Sequence, residues 1–387
     1  MIAPPDADSR IHQPLRRHEK IAAIDAATWD ALFNPDYPFT RHAFLRALED
    51  HGCVTPRKGW QPCHATLEDA AGQIVAAAPL YLKQHSYGEF VFDWAWAEAS
   101  QRLGAPYYPK LLCAVPFTPC QGSRLGALDD TAKRALAAAL SVMPTTARLS
   151  SLHVLFAKAA DRDALMNETA LPRCDVQFHW HNHGYADFAD FLSRLTADKR
   201  KKILRERRRI AESGLQFEVI AGDQLDESGW ADVLRLYGHT YEERGQAPYL
   251  NLDFFLDYGA RSGTSVRLIL CRDGARLVAV AITILGGDTL YGRHWGAEAN
   301  YHSLHFETCY YQGIDYCIRE RLARYDAGAQ GEHKLARGFE PCLTHSLHWL
   351  TEPRLADAVA RHLQRERPLV EARCDELRQH MPYRRNP

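Results

Sequence analysis

His305, Glu307, Asp326, His333 and Lys334 fall within thirty residues of one another, and each can take, give or neutralise a charge. Glu307, His305, His333 and Asp326 are candidate general bases, able to take a proton from an incoming nucleophile. Glu307 stands first because it opens a helix, where a carboxylate suits the positive end of the dipole. Its structural alternative is a helix-start carboxylate with no chemistry. Arg293 and Arg337 can clamp a phosphate or carboxylate bidentately, or form ion pairs with Glu332 or Glu340. Gly328, Gly331 and Gly338 interleave with these charges. Glycine lets the backbone approach a ligand closely, so this stretch suits a site better than a core.

Two elements must position that set. Residues 290–297 are short, aromatic and closed by glycine, which predicts a buried strand running into a loop and carrying Trp295 near its end. Residues 307–322 place Cys309, Tyr310, Ile314, Cys317, Ile318 and Leu322 at close to the spacing of a helix packed on one face.

The Gly-Arg-His-Trp-Gly segment at 292–296, the Leu-His-Phe-Glu at 304–307 and the turn from Gly328 to Phe339 with its Gly-Glu-His-Lys core resemble a bacterial N-acyltransferase family. That family is labelled peptidoglycan biosynthesis or recognition, and is related to Fem-type aminoacyltransferases and to the GNAT acyltransferase fold. The resemblance runs from about residue 21 to residue 350. It implies an α/β fold of tandem GNAT-like domains, each a mixed, mostly antiparallel twisted sheet flanked by helices. In the Fem group an Asp and Gly-rich strand end is followed by a Phe-Lys pair. The matching positions here are Asp326, Gly328 and His333-Lys334, so the resemblance implies that Lys334 stabilises an oxyanion or a substrate phosphate. Two features depart from these patterns. Residues 295–307 hold no Gln/Arg-x-x-Gly-x-Gly/Ala loop for a CoA pyrophosphate, and the helical-arm insertion of some Fem-type enzymes is missing.

A chain of 387 residues is too long for one typical core and fits two domains. The sequence divides into a tail at 1–20, domains at 21–185 and 186–352, and a helical tail at 353–387. Both halves read as a hairpin, a long second strand and an aromatic third strand: 64–67, 73–82 and 89–97, then 266–271, 277–285 and 289–297. This weak internal repeat agrees with a tandem architecture. A final strand is expected at 344–350. Charged helices are expected over 354–380, with Pro368 as a break.

Residues 199–209 contain eight basic side chains and one acid, Glu206, within an expected helix at 198–213. Lys199 and Arg200 lie in its first turn, where the dipole is already positive, so the placement costs stability unless an anion is bound. The plain alternative is a solvated face over a seam of Leu195, Ile203 and Ile210. The functional alternatives are phosphates of CoA, of a lipid-linked precursor or of tRNA, or peripheral contact with an anionic membrane. Net charge is only −1, so general polyanion binding and DNA recognition are not expected. Tyr107 and Tyr108 sit in a proline-rich loop that is either structural or a substrate wall, with Lys110 and Arg124 beside it. His179, His181 and His183 alternate along an expected strand without an acidic or Cys neighbour in sequence, and no metal is expected. The ten cysteines show no Cys-x-x-Cys spacing and are expected as reduced core thiols. Residues 1–20 read as neither signal peptide nor anchor, and no apolar run spans a membrane, so a cytoplasmic protein is expected, peripheral to the inner membrane at most.

The expectation is an N-acyltransferase that moves an acyl group from acyl-CoA or aminoacyl-tRNA to an amine of a cell-envelope precursor or amino lipid. Acyl-CoA enters as a co-substrate and no tightly bound cofactor is expected. The competing class is a catalytically silent GNAT-fold protein that recognises a cell-wall fragment or partner.

Overall fold

The computed structural model describes residues 15–242, 245–298, 301–329 and 331–384. Most of the expected tail at 1–20 lies outside the described residues, as do Gln330 of the site turn and residues 385–387 of the C-terminal tail. The chain forms two compact units, residues 1–175 with 344–370 and residues 176–343 with 371–387. These boundaries differ from the expected 185/186 and 352/353, because a strand goes with the unit that takes its hydrogen bonds. Ser346–Leu350 pairs with Ser151–Leu155 of the first unit, and His179–His181 pairs with Arg324–Asp326 of the second.

In the first unit Arg16–His18, His64–Glu68, Ile74–Ala78 and Gly126–Ala127 form a four-stranded antiparallel sheet in that order. Trp60–Pro62, Leu80–Lys83 and Lys110–Cys113 pair antiparallel in turn, and Lys110–Cys113 then pairs in parallel with Ser151–Leu155. Leu80, Leu111, Leu136, Leu140, Leu152 and Leu347 fill the core between these strands and the helix Asp130–Thr146. The expected strand at 89–97 is not one: a loop runs to Asp93 and a helix spans Trp94–Arg102. Trp96 and Ser100 are its buried residues, four apart on one helical face, and the alanines between them favour that helix. The apparent repeat between the two halves is therefore lost at its third element.

In the second unit Gln216–Ala221, Val266–Asp273, Arg276–Gly286 and Thr289–Ala297 pair antiparallel in sequence order. Leu277 to Ile284 are all buried, as expected of a central strand covered on both faces. The helix Glu227–Glu242 approaches so closely that a Cβ on Gly296 would lie 2.1 Å from the Leu236 carbonyl oxygen. Only glycine fits there. The C-terminal residues form one helix, Pro353–Gln379, and Pro368 does not break it. Pro368 and Gln364 are exposed, so water can solvate the carbonyl that the proline leaves without a partner.

The basic helix, Ala197–Glu212, is anchored by Glu206, the one acid within its basic run at 199–209. Glu206, 6% exposed, accepts from Arg337 Nη2 at 3.0 and 3.1 Å and from the Tyr311 hydroxyl. Neither Glu332 nor Glu340 serves Arg337. Glu332 pairs with Arg373, and Glu340 with His183.

Replacing Gly296 by Ala should destabilise the second unit by about 1–3 kcal/mol in chemical denaturation, because the clash is with backbone. Glu206→Ala leaves a buried guanidinium without its carboxylate and should cost about 3–5 kcal/mol. Adding Arg337→Met should recover part of that loss, since the two changes remove the same interaction.

Candidate active site in the second unit

Thr289, Leu290 and Tyr291 pair in parallel with Arg324, Tyr325 and Asp326, and the pairing stops there. Beyond it the strand Thr289–Ala297 continues while the other chain turns through Gly328 and Gly331. Ligands in α/β sheets bind in the crevice beyond the carboxyl ends of such strands. Thr283 pairs with Gly292 and Ile282 with His294, which makes Arg293 the extra residue of a β-bulge at this point.

Three side chains meet at the open end. The Tyr310 hydroxyl lies 2.8 Å from His333 Nε2 and 3.3 Å from His305 Nε2. The Trp295 ring packs edge-on against His305 at 5.0 Å between centroids. Burial, reinforced by the neighbouring His333, Lys334 and Arg337, holds the His305 pKa down to about 4. Burial also lowers His333, followed by Arg337, Lys334 and Lys202. Both rings are therefore neutral near pH 7, and each offers one bare nitrogen and one N–H.

Beneath this layer the expected residues are more committed. Lys334 is 1% exposed and donates from Nζ to the Gly328 carbonyl at 2.5 Å. Asp326 is also 1% exposed and accepts the Gly328 N–H at 3.1 Å, so the two meet through one glycine. Arg337 does not face an open groove. Its guanidinium lies 3.5 Å from the Phe306 ring centroid, holds Glu206, and donates to the Tyr311 hydroxyl and to the His333 carbonyl at 3.0 and 2.8 Å.

Glu307 sits at the start of a π-helical turn, Glu307–Tyr311, an irregularity frequent at functional sites. Its Oε1 accepts from Arg207 Nε at 3.2 Å and Gln312 Nε2 at 2.8 Å, while the buried Oε2 has no hydrogen-bond partner among the described residues. Burial raises its pKa, opposed first by Arg207.

The structure thus brings His305, His333, Lys334, Asp326, Arg337 and Trp295 around one turn, and seats Glu307 on the basic helix. Lys199 and Arg200 are half-buried; with Lys201, Lys202 and Arg205 they find no acidic partner among the described residues. Tyr107 and Tyr108 belong to the first unit. Tyr107 is 5% exposed and donates to Asp93 at 2.7 Å, and the Tyr108 hydroxyl lies 2.8 Å from Ser86 Oγ. Tyr107 thus packs inside the first unit instead of facing a channel. Lys110 and Arg124 are wholly buried and consumed by internal partners. His179 does acquire neighbours that sequence distance concealed, Asp326 Oδ2 at 3.6 Å and Cys342 Sγ at 3.4 Å. No group of three or more possible ligands suited to a metal occurs among the described residues.

Sequence reasoning missed Tyr310, which was read only as helix packing, and missed Glu206 as an anchor. Being the lone acid in a run of cations was the available signal for Glu206.

A search of curated proteins finds no match to this chain. Among solved structures it is similar to FemX, with 11% identity, 90% of this chain and 100% of that one covered, and a TM-score of 0.47. It is also similar to L-PGS from Bacillus licheniformis, with 8% identity, 86% and 98% coverage and a TM-score of 0.49. A tandem GNAT protein from the clavulanic acid biosynthesis pathway gives 11% identity, 88% and 98% coverage and a TM-score of 0.42. Likenesses this distant bear on neither substrate nor mechanism. The fold is mixed α/β, with mostly antiparallel sheets flanked by helices, and no helix among the described residues is long and apolar enough to cross a membrane. The profile of the FemAB-like family, described as peptidoglycan biosynthesis/recognition, matches residues 20–385, and the chain belongs to that family.

Proposed function

We propose that the second unit transfers an acyl group from an activated donor to a primary amine of a cell-envelope component, with His333 taking the amine's proton. The observation that carries this reading is the Tyr310 hydroxyl set between His333 and His305 at the open end of the split strands. If His333 donates from Nε2 to Tyr310, and Tyr310 donates to His305, then Nδ1 of His333 is bare and ready to accept. That nitrogen has no partner among the described residues. The ammonium loses a proton to it, the neutral nitrogen attacks the acyl carbonyl carbon, and as the bond to the leaving sulfur or oxygen breaks, the second proton shed by that nitrogen passes to the leaving group, which departs as thiol or alcohol. Lys334 supplies positive charge beside the glycine turn where the oxyanion develops. Arg337 acts through His333, holding its carbonyl.

Donor candidates are acyl-CoA and aminoacyl-tRNA, and both carry phosphates. The unpaired cations Lys199, Arg200, Lys201, Lys202 and Arg205 suit either, and suit the anionic surface on which an amino lipid lies. The family's link to peptidoglycan favours a cell-wall precursor or lipid amine as acceptor. The competing reading is a silent recognition protein. It is favoured by the internal commitment of Lys334 and Arg337.

Native mass spectrometry against acyl-CoAs from acetyl to palmitoyl, with charged tRNA as competitor, identifies the donor; retention of neither supports the silent reading. With a donor in hand, His333→Ala should lower kcat/KM by roughly 10²–10⁴-fold, and unchanged turnover would remove His333 as the base. The pH profile follows from burial. Because burial lowers the proton affinity of His333, the acid-side decline of activity should fall at lower pH than for an ordinary histidine. Replacing the five free cations by Gln should weaken donor binding and flatten its salt dependence.

A further inference from the structure

The first unit contains a polar chain that the reaction above does not use. Ser346 and His348 alternate on one strand, and Ser346 Oγ lies 2.9 Å from His348 Nε2. His348 Nδ1 lies 2.7 Å from His153 Nδ1, and His153 Nε2 lies 2.8 Å from Ser151 Oγ. All four residues are at least 96% buried. Burial drives the pKa of His348 well down and that of His153 to about 3, so both rings are neutral.

The direction of this chain can be worked out from its far end. Ser150 spends its single hydroxyl proton on backbone carbonyls, those of Tyr107 at 2.5 Å and Pro109 at 3.2 Å. Its oxygen, 3.2 Å from Ser151 Oγ, is therefore free to accept from Ser151. Assigning the Ser151 proton to Ser150 makes Ser151 an acceptor from His153, together with the more distant oxygen of Tyr107, whose own proton goes to Asp93. His153 then carries its proton on Nε2 and is bare on Nδ1. Two neutral rings facing each other through Nδ1 need one donor, and with this tautomer of His153 it is His348. That leaves His348 Nε2 bare and facing the Ser346 hydroxyl. A serine donating to a bare imidazole nitrogen, with the other ring nitrogen held by a third group, is the arrangement of an activated nucleophile.

Ser346 also opens on space. It lines a cavity of about 40 Å³ with Phe92, Phe156, Arg173 and Thr344. This exceeds the roughly 10–15 Å³ that one water requires. Arg173 is fixed there by two 2.9 Å bonds to Glu366, and Phe156 holds a left-handed φ of 55°, a strained state for a bulky side chain that occurs preferentially at functional sites.

We propose that Ser346, His348 and His153 form a second chemical centre, in which Ser346 takes up a short acyl group from an activated ester or thioester. Ser346 Oγ bonds to the carbonyl carbon and its proton passes to His348 Nε2. The ester or thioester bond then breaks and the leaving oxygen or sulfur collects that proton. Water or an amine later cleaves the acyl-serine and restores the hydroxyl. His153 is a positioning residue. The charged groups that face the pair are Asp93, Lys110 and Arg173.

The test uses the full chain and p-nitrophenyl acetate, with no amine present, so its outcome is independent of the reaction proposed for the second unit. A burst of nitrophenolate and an acetyl adduct mapped to the peptide containing Ser346 are expected. Ser346→Ala should abolish both, and His348→Gln should slow the burst by at least about 100-fold. His153→Asn, whose amide oxygen can still accept from His348, should keep the burst, and His153→Leu should lose it. A phosphonofluoridate trap read by mass spectrometry gives a second measure should a variant fold poorly. No adduct on Ser346 by either reagent, or an undiminished burst in Ser346→Ala with an intact melting transition, overturns the proposal.

Discussion

Arg337 is 2% exposed, and a guanidinium can be buried only where every part of it is met. Glu206 supplies the counter-charge from the basic helix, Tyr311 an oxygen from the π-helical turn, His333 its carbonyl, and Phe306 a ring face. These groups come from three separate stretches of the second unit. Satisfying one cation fixes the basic helix, the irregular helix and the glycine turn against one another. Glu307 adds a second tie to the same helix through Arg207. The position of His333 follows from these contacts, because the residue that holds its carbonyl is held on all sides.

The first unit handles buried charge differently. Lys110 Nζ reaches Ser86 Oγ at 2.8 Å, Glu89 at 2.8 Å and Asp93 at 2.5 Å, with no exposure of its own. Lys83 lies 3.8 Å from Glu89 and 3.7 Å from the Trp60 ring centroid. Burial lowers the proton affinity of Lys83, opposed first by Glu89, and raises that of Glu89, opposed first by Lys110. Lys83 also donates to the Tyr87 carbonyl and Arg173 to the Phe92 carbonyl. The loop between them is thereby tied at both ends by cations, although its sequence reads as a strand.

That misreading shows where one-dimensional pattern fails. Residues 89–97 alternate aromatic and small side chains well enough to suggest a strand, yet the same residues satisfy a helix once Trp96 and Ser100 are known to be the buried pair. Short patterns are compatible with both periods, and burial against a particular neighbour decides between them. The basic helix was legible because sixteen residues of consistent period leave no such ambiguity. The glycine turn was legible too, since three glycines among charged side chains have few structural uses. Tyr310 was not, because an aromatic at helical spacing is ordinary packing until its hydroxyl is seen between two imidazoles.

From sequence alone came the α/β class, the two-part chain, the family likeness, the basic helix and the stretch that carries His305, His333 and Lys334. These are properties of local period, glycine placement and composition, and each is written within a few dozen residues. Only the tertiary structure decided which charges are spent and which remain available. It paired Arg337 with Glu206 across 131 positions and His348 with His153 across 195. It also turned Lys334 toward Gly328 and left Lys199, Arg200, Lys201, Lys202 and Arg205 of the basic helix without an acidic partner among the described residues. Whether a titratable group is structural or chemical depends on its desolvation and on what lies within about 4 Å of it. Those neighbours come from distant parts of the chain, so no local reading of the sequence contains them.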